Sequence, residues 1–187
     1  MVHGTSGAVK VIDPEFCVYG PPGLDVGSLI SGLVLAAIRH IFKAQPDFTA
    51  AWRMAEAIDM IWKTYAGVLA KQGLSAKVIE GINSDTVGFA CCEVLRTALG
   101  FAGARGLKFE DKDKERQAQD VAVKLSRYGF QKMLKLKNRK DALVKLLRKA
   151  ISDAGSKVPL LTHQEANPDL HLCTSGTLII PASNLIE

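Results

Sequence analysis

Apolar residues recur at helical spacing along most of this chain, and that period constrains the fold more than any other feature. In the clearest stretch the recurring residues are Phe48, Ala51, Trp52, Ala55, Ile58, Ile61, Trp62, Tyr65 and Leu69. Steps of three and four residues place them on one side of an α-helix. Asp47 can cap the start of this helix, and Gly73 can end it. The pattern predicts a helix over residues 48–72 with both tryptophans in the core.

The same period predicts four more helices. They span residues 25–44, 84–101, 112–136 and 139–154. Asp25 is expected to cap the first, and Ser84 or Asp85 to start the second. Gly88 and Ala90 are small enough to let another backbone approach that second helix closely. In the last helix, the inward-facing residues are predicted to be Leu143, Leu146, Leu147 and Ile151.

Strand-like sequence is confined to short stretches. Residues 8–12 are β-branched and residues 178–180 are apolar, whereas most of the chain from Ser156 onward has the composition of loops. The prediction is therefore a mainly α fold with a β fringe at the amino end. We assign residues 1–155 to the helical domain, with its helical core over 25–154, and residues 156–187 to an irregular tail.

Composition restricts the compartment and the partners. A chain of 187 residues with 48% hydrophobic content fits one domain with a real core. No signal peptide opens the chain, and the apolar run over 28–38 is too short to span a bilayer. The four cysteines have no zinc-binding spacing and are read as free thiols, which favours the cytoplasm.

Positive charge is concentrated in one segment. Residues 108–149 hold 14 Lys or Arg and 6 Asp or Glu, within a chain of net charge +5. Such a stripe can attract nucleic acid or another polyanion. Because the two signs are interleaved, a solvated helix face is the favoured interpretation, and nucleic-acid binding is the weakest hypothesis.

A pair of acids, Asp13 and Glu15, follows the strand-like run near the amino end. Alternate strand residues point to the same face, so the two carboxylates can converge on one hard cation. Mg²⁺ bound by one or two carboxylates and by substrate phosphates is the usual arrangement in ATP-dependent enzymes. An acidic turn after a strand is also common, so the spacing alone is a weak signal.

Two stretches together resemble a known family. Residues 13–27 are similar to the metal-binding segment of the S-methyl-5-thioribose kinases, which belong to the aminoglycoside phosphotransferase and choline kinase-like group. The resemblance implies a metal-binding segment over residues 9–27 of this chain. Residues 85–90 and 93–102 are similar to the family's helix that carries paired arginines. The resemblance implies the helical carboxy-terminal lobe of a protein kinase-like fold, with ATP as substrate and Mg²⁺ as cofactor.

The resemblance also assigns roles. Asp13 and Glu15 match the two metal-ligand acids, and Arg96 matches the first paired arginine, which contacts the sugar and the transferring phosphate. The second arginine is Thr97 here, and the family's following histidine is Gly103. Asp25 matches a family aspartate that we expect to support the site as a helix N-cap.

The family's catalytic loop, His-Gly-Asp-x-His, has no counterpart here, because no aspartate precedes Asp13. The chain therefore contains no catalytic base, and we expect a truncated, inactive form of a methylthioribose-phosphorylating enzyme of methionine salvage. Completion by a nucleotide-binding lobe would supply the ATP and sugar sites. The alternative is a non-catalytic helical module derived from a kinase lobe. A homo-oligomer is also expected, since residues 9–16 would leave an apolar edge uncovered.

Overall fold

Four long helices make up most of the part of the chain that the computed structural model describes, which is residues 19–101, 103, 106–135, 145, 147–149, 151 and 152. They are α1 (Gly23–Phe42), α2 (Phe48–Lys71), α3 (Ala76–Ala98) and α4 (Lys112–Lys135). These residues contain no strand, so the mainly α prediction is confirmed for them. They all belong to one compact unit, Met1–Lys157. The predicted strands and the tail lie outside the described residues.

Helix α2 follows its prediction closely. Asp47 occupies the N-cap position and its side chain accepts a hydrogen bond of 2.8 Å from the Ala50 N–H. That bond is the main reason why the pKa of Asp47 lies below its ordinary value. Trp62 is buried, as predicted. The prediction is wrong for Trp52, which is 38% exposed and lies 5.9 Å below the Arg148 guanidinium.

The predicted N-cap of α1, Asp25, is wrong by three residues. The helix begins at Gly23, Pro22 occupies the N-cap position, and no side chain caps it. Pro22 already has the helical backbone angles φ −58° and ψ −24°. Because proline fixes φ near this value, it starts the helix without an acceptor side chain. Asp25 therefore lies in the first turn, where its negative charge suits the positive end of the helix dipole.

Helix α3 begins earlier than predicted. Ser75 is its N-cap and accepts a 3.4 Å hydrogen bond from the Val78 N–H. Most side chains of its first turns are exposed, so this part of the sequence has no apolar period to detect. Helix α4 starts where predicted, with Asp111 accepting hydrogen bonds from the N–H groups of Asp113 and Lys114.

Helix α1 is central to the core because it packs against α2, α3 and α4. The fully buried large residues of this core include Val34 and Ile38 on α1 and Val94 on α3. Leu147 and Ile151 are also buried, as predicted, and their backbones are helical. Leu143 and Leu146 lie outside the described residues.

Helices α1 and α3 are in direct backbone contact along a seam formed by two glycines. A Cβ atom added to Gly23 would lie 2.7 Å from the Thr86 nitrogen, and one added to Gly27 would lie 2.8 Å from both the Thr86 oxygen and the Phe89 Cβ. Real Cβ atoms do not approach this closely. Gly23 faces Thr86, whereas Gly27 faces Phe89 and Ala90, so residue numbers rise in the same direction on both helices. The two helices therefore run parallel here. Any side chain at either glycine would force them apart.

Ala90 also belongs to this seam. Its backbone nitrogen would lie 3.0 Å from a Cβ on Gly27, and its own side chain is fully buried. The predicted close approach of another backbone to this part of α3 is therefore confirmed at Ala90.

By length and composition, α1 is apolar enough to cross a membrane, with a mean hydropathy of 1.5. Core helices of soluble proteins pass the same test, and 44% of this segment is buried. Its apolar character is therefore weak evidence for a membrane span.

We predict that alanine has opposite effects at two glycines of α1. Gly27→Ala should lower the free energy of unfolding by about 1–3 kcal/mol, because its Cβ meets the α3 backbone. Gly32→Ala should raise it by up to about 1 kcal/mol, since nothing lies within 4 Å of a Cβ there and alanine favours the helix. Urea unfolding followed by circular dichroism measures both. Equal effects would show that the seam is not closely packed.

Candidate functional site

The predicted metal ligands, Asp13 and Glu15, lie outside the described residues. Within the described part of the chain, no group of three or more His, Cys, Asp or Glu side chains is arranged to hold a metal ion. The described residues therefore offer no alternative centre, and the metal assignment stays a prediction from the sequence.

Arg96 lies near the end of α3 with its side chain 47% exposed. Its Nη2 donates a 2.9 Å hydrogen bond to Glu93 Oε2, one turn earlier on the same helix. The carboxylate orients the guanidinium along the helix surface. A guanidinium has five N–H donors in a planar fork, which suits it to binding phosphate or sugar oxygens as well.

Thr97, at the position of the family's second arginine, faces the protein interior. It is only 3% exposed, and its hydroxyl donates a 2.9 Å hydrogen bond to the Glu93 backbone oxygen. Neighbouring helix residues are about 100° apart around the axis, so the two positions face different environments. In this chain Arg96 is open to a ligand and Thr97 is closed to one.

Gly103, at the position of the family's histidine, lies in the loop that follows α3. Its φ is +70°, and the loop has two further glycines with positive φ, Gly100 at +85° and Gly106 at +87°. Left-handed backbone is easy for glycine and costs other residues roughly 1 kcal/mol or more. The replacement of histidine by glycine therefore agrees with the backbone observed here.

Arg39, a residue that the sequence did not single out, holds this loop against the last turn of α1. Its Nη1 donates hydrogen bonds to the backbone oxygens of Gly106 at 3.0 Å and Lys108 at 3.3 Å. Its guanidinium also lies 5.6 Å from the centre of the Phe109 ring. The partners are nearly seventy residues away in sequence. The only feature of the sequence that could have indicated this role is that Arg39 is a basic residue in the last turn of an apolar helix.

Asp25 is exposed on the first turn of α1. The seam places this turn and the next beside residues 85–90 of α3, whereas Arg96 lies six residues further along α3, about 9 Å at the rise of an α-helix. The described structure therefore separates Asp25 from Arg96 along the helix axis. It places them on parallel helices of one packed pair.

Burial makes the Cys91 thiol unsuitable as a nucleophile. It is 1% exposed, and desolvation raises its pKa to about 12, with a smaller contribution from neighbouring Cys92. The thiolate is the reactive form of cysteine, so Cys91 acts as a small core residue.

Comparison with known proteins finds methylthioribose kinases among the relatives of this chain. The chain is 35% identical over 134 residues to a methylthioribose kinase from Geobacillus sp. (strain WCH70), covering 67% of this chain and 34% of that protein. It is 36% identical over 133 residues to the methylthioribose kinase of Geobacillus kaustophilus, covering 63% and 32%. The methylthioribose kinase of Bacillus cereus (strain G9842) is 32% identical over 142 residues, covering 67% and 34%.

All three of these relatives are named as kinases. The chain is therefore related to the methylthioribose kinase family, as its sequence motifs indicated. It spans about a third of the length of these curated relatives. No protein-family profile matches the chain, and no solved structure matches it.

We predict that an arginine cannot be restored at position 97 without loss of stability. Thr97→Arg would bury an unpaired charge and remove the hydrogen bond to the Glu93 backbone oxygen. The free energy of unfolding should therefore fall by about 3 kcal/mol or more. Leu99→Arg is the matched control, because Leu99, the C-cap residue of α3, is 58% exposed. Thermal unfolding should separate the two variants clearly. Equal melting temperatures would mean that position 97 is open to solvent.

Proposed function

We propose that this chain forms the carboxy-terminal lobe of a methylthioribose kinase-like phosphotransferase. The activity would transfer the terminal phosphate of ATP to the anomeric hydroxyl of methylthioribose, a step of methionine salvage. The observation that carries this proposal is the 32–36% identity to proteins named methylthioribose kinase. The order of the two motifs along the chain supports it independently.

In this proposal, two positive groups would neutralise the negative charge of the phosphates: a bound Mg²⁺ ion and Arg96. Asp13 and Glu15 would hold Mg²⁺ on the nucleotide phosphates, as carboxylates do in other phosphoryl-transfer enzymes. Both acids lie outside the described residues, so their fit to the ion rests on the sequence. When bound, Mg²⁺ would neutralise the phosphate charge that develops during transfer.

Arg96 would supply the second source of positive charge. Its guanidinium is exposed, and a guanidinium can bind two oxygens of one phosphate. Glu93 holds it along the surface of α3, which limits the number of rotamers that a ligand has to select. Since Thr97 is buried, a single arginine would act here where the family has two.

The seam between α1 and α3 is compatible with this proposal. In the sequence, Glu15 lies eight residues before the start of α1, whose first turns lie against residues 85–90 of α3. Arg96 belongs to the same α3 helix. One rigid contact would therefore link the chain segment of the metal ligands to the helix of the phosphate-binding arginine.

We also propose a cytoplasmic location. Cys91 and Cys92 are adjacent free thiols, as expected in a reducing compartment. The substrates of the proposed reaction, ATP and a sugar metabolite, belong to that compartment.

The metal assignment predicts a specific loss of binding. Asp13→Asn should abolish any binding of Mg²⁺-nucleotide that the wild-type chain shows, and Glu15→Gln should do the same, because each removes one carboxylate ligand. Glu56→Gln on α2 is the matched control, since it removes one exposed negative charge far along the chain from both motifs. Isothermal titration with a non-hydrolysable ATP analogue, with and without Mg²⁺, gives the comparison. Unchanged binding in Asp13→Asn would refute the metal site.

The missing catalytic aspartate predicts the activity of the isolated residues. We expect no ATP-dependent phosphorylation of methylthioribose by these 187 residues, because losing a general base costs roughly 10²- to 10⁴-fold in rate. Activity should appear when the nucleotide-binding lobe and catalytic loop of a Geobacillus relative are fused upstream, and Glu15→Gln should remove it. Turnover by the 187 residues alone, lost in Glu15→Gln, would contradict this expectation.

A further inference from the structure

Two large apolar side chains are exposed at the end of α3. Leu99, the C-cap residue, is 58% exposed, and Phe101 is 80% exposed. Arg96, whose side chain is 47% exposed, lies one turn before Leu99. Apolar side chains with a small number of well-placed polar groups are typical of sites that bind small molecules. We call Arg96, Leu99 and Phe101 the α3 end patch.

The backbone that carries Phe101 is fixed by the way in which α3 ends. The Phe101 N–H donates a 3.0 Å hydrogen bond to the Arg96 backbone oxygen, and the Gly100 N–H donates a 3.1 Å hydrogen bond to the Thr97 backbone oxygen. With Gly100 at φ +85°, these two bonds form the Schellman motif that ends many helices. The exposed ring of Phe101 is therefore carried by a hydrogen-bonded backbone, directly beside the turn that contains Arg96.

The usual partner of an apolar residue in this motif is missing. An apolar side chain at the position of Phe101 frequently packs against another apolar one at the position of Arg96. Here that position holds an arginine, and its Nη2 donates a 2.9 Å hydrogen bond to Glu93 Oε2. The Phe101 ring is left largely uncovered. The end of α3 thus presents an aromatic surface and a guanidinium next to each other.

The two positions at which this chain departs from the family pattern add no polar group to the patch. Thr97 is buried, and Gly103 has no side chain. By the resemblance, the family has an arginine at the first of these positions and a histidine at the second. The α3 end patch therefore combines one guanidinium with two apolar side chains. It suits a ligand that has oxygens at one end and an apolar group at the other.

Methylthioribose is divided in this way. Its ribose oxygens can accept hydrogen bonds from a guanidinium, whereas its methylthio group is apolar. The sulfur of a thioether also makes favourable contacts with aromatic rings. One turn of an α-helix is about 5 Å long, so side chains from the last turn of α3 and from its cap can reach both ends of a small sugar.

We propose that Phe101, with Leu99 beside it, binds the methylthio group of the sugar while Arg96 binds the ribose oxygens. This inference rests on the proposed function, because methylthioribose is the substrate proposed there. It goes further by naming the side chain that determines specificity. Arg96 cannot distinguish methylthioribose from ribose by itself, since both sugars present oxygens to it. The aromatic ring supplies the distinction.

The test compares methylthioribose with ribose, which has a hydroxyl in place of the methylthio group. Saturation-transfer difference NMR measures the binding of each sugar to the 187-residue chain, with sugar concentrations up to tens of millimolar. Methylthioribose should bind at least about 10-fold more tightly than ribose, because only its methylthio group can use the apolar side chains. Its S-methyl protons should receive the strongest saturation.

Variants identify the side chains responsible. Phe101→Ala should remove the preference and bring the two dissociation constants within about 2-fold of each other, since it deletes the ring and keeps the backbone hydrogen bond. Arg96→Gln should weaken the binding of both sugars. Met60→Ala is the matched control, because Met60 is an apolar residue of α2 that is 53% exposed. It should keep the preference. Circular dichroism should show all four chains equally helical.

The outcomes separate this inference from the proposed function. Equal binding of the two sugars by the wild-type chain, or a preference that survives Phe101→Ala, would overturn the inference. Neither result would contradict the proposed function, because recognition of ribose by Arg96 does not require the ring. Failure of both sugars to bind would also overturn the inference. The proposed function is judged separately, by the turnover of the chain fused to an upstream lobe.

Discussion

The contact between the backbones of α1 and α3 is the constraint on which the rest of this structure depends. Gly23 and Gly27 remove the layer of side chains that normally separates two helices, so the α1 backbone lies directly against Thr86 and Ala90. Close packing of this kind fixes both the distance and the direction of the two helices. Helix α2 packs against α1, and helix α4 packs mainly against α3 and also against α1.

The seam also explains why two separate stretches of sequence carry the family resemblance. Residues 20–27 and 85–90 are far apart in the chain, yet they form the two sides of one contact. The glycines in the first stretch are of use only if the second stretch presents backbone at the same place. Asp13 and Glu15 precede one side of this contact, and Arg96 follows the other.

The helices were largely predictable because each has a strong local signal. The apolar period of α2 and its Asp47 cap were visible in the sequence, and so was the acidic start of α4 at Asp111. The predicted helix starts were wrong where the sequence signal was weak or differed in kind from the one expected. The first turns of α3 are mostly exposed and have no apolar period, and α1 starts with proline backbone geometry instead of a capping side chain.

The candidate site was only partly predictable. Arg96 was assigned through its motif, and its binding role stays a prediction; the structure shows that its side chain is exposed. The burial of Thr97 depends on how α3 packs against its neighbours, which no local pattern records. Arg39 donates a hydrogen bond to the backbone oxygen of Gly106, which is far away in the sequence. This contact depends on the shape of a loop in which three glycines have positive φ, and a single sequence does not show where such glycines lie.

Native-state hydrogen exchange tests the central role of the seam most directly. If α1 and α3 form the most stable unit, the amides of residues 30–38 and 90–94 should exchange only through global unfolding, with the largest protection in the chain. The amides near the end of α2, at residues 66–71, should exchange through local opening at much lower free energy. The account would be contradicted if the amides beside the seam exchanged as readily as those at the end of α2.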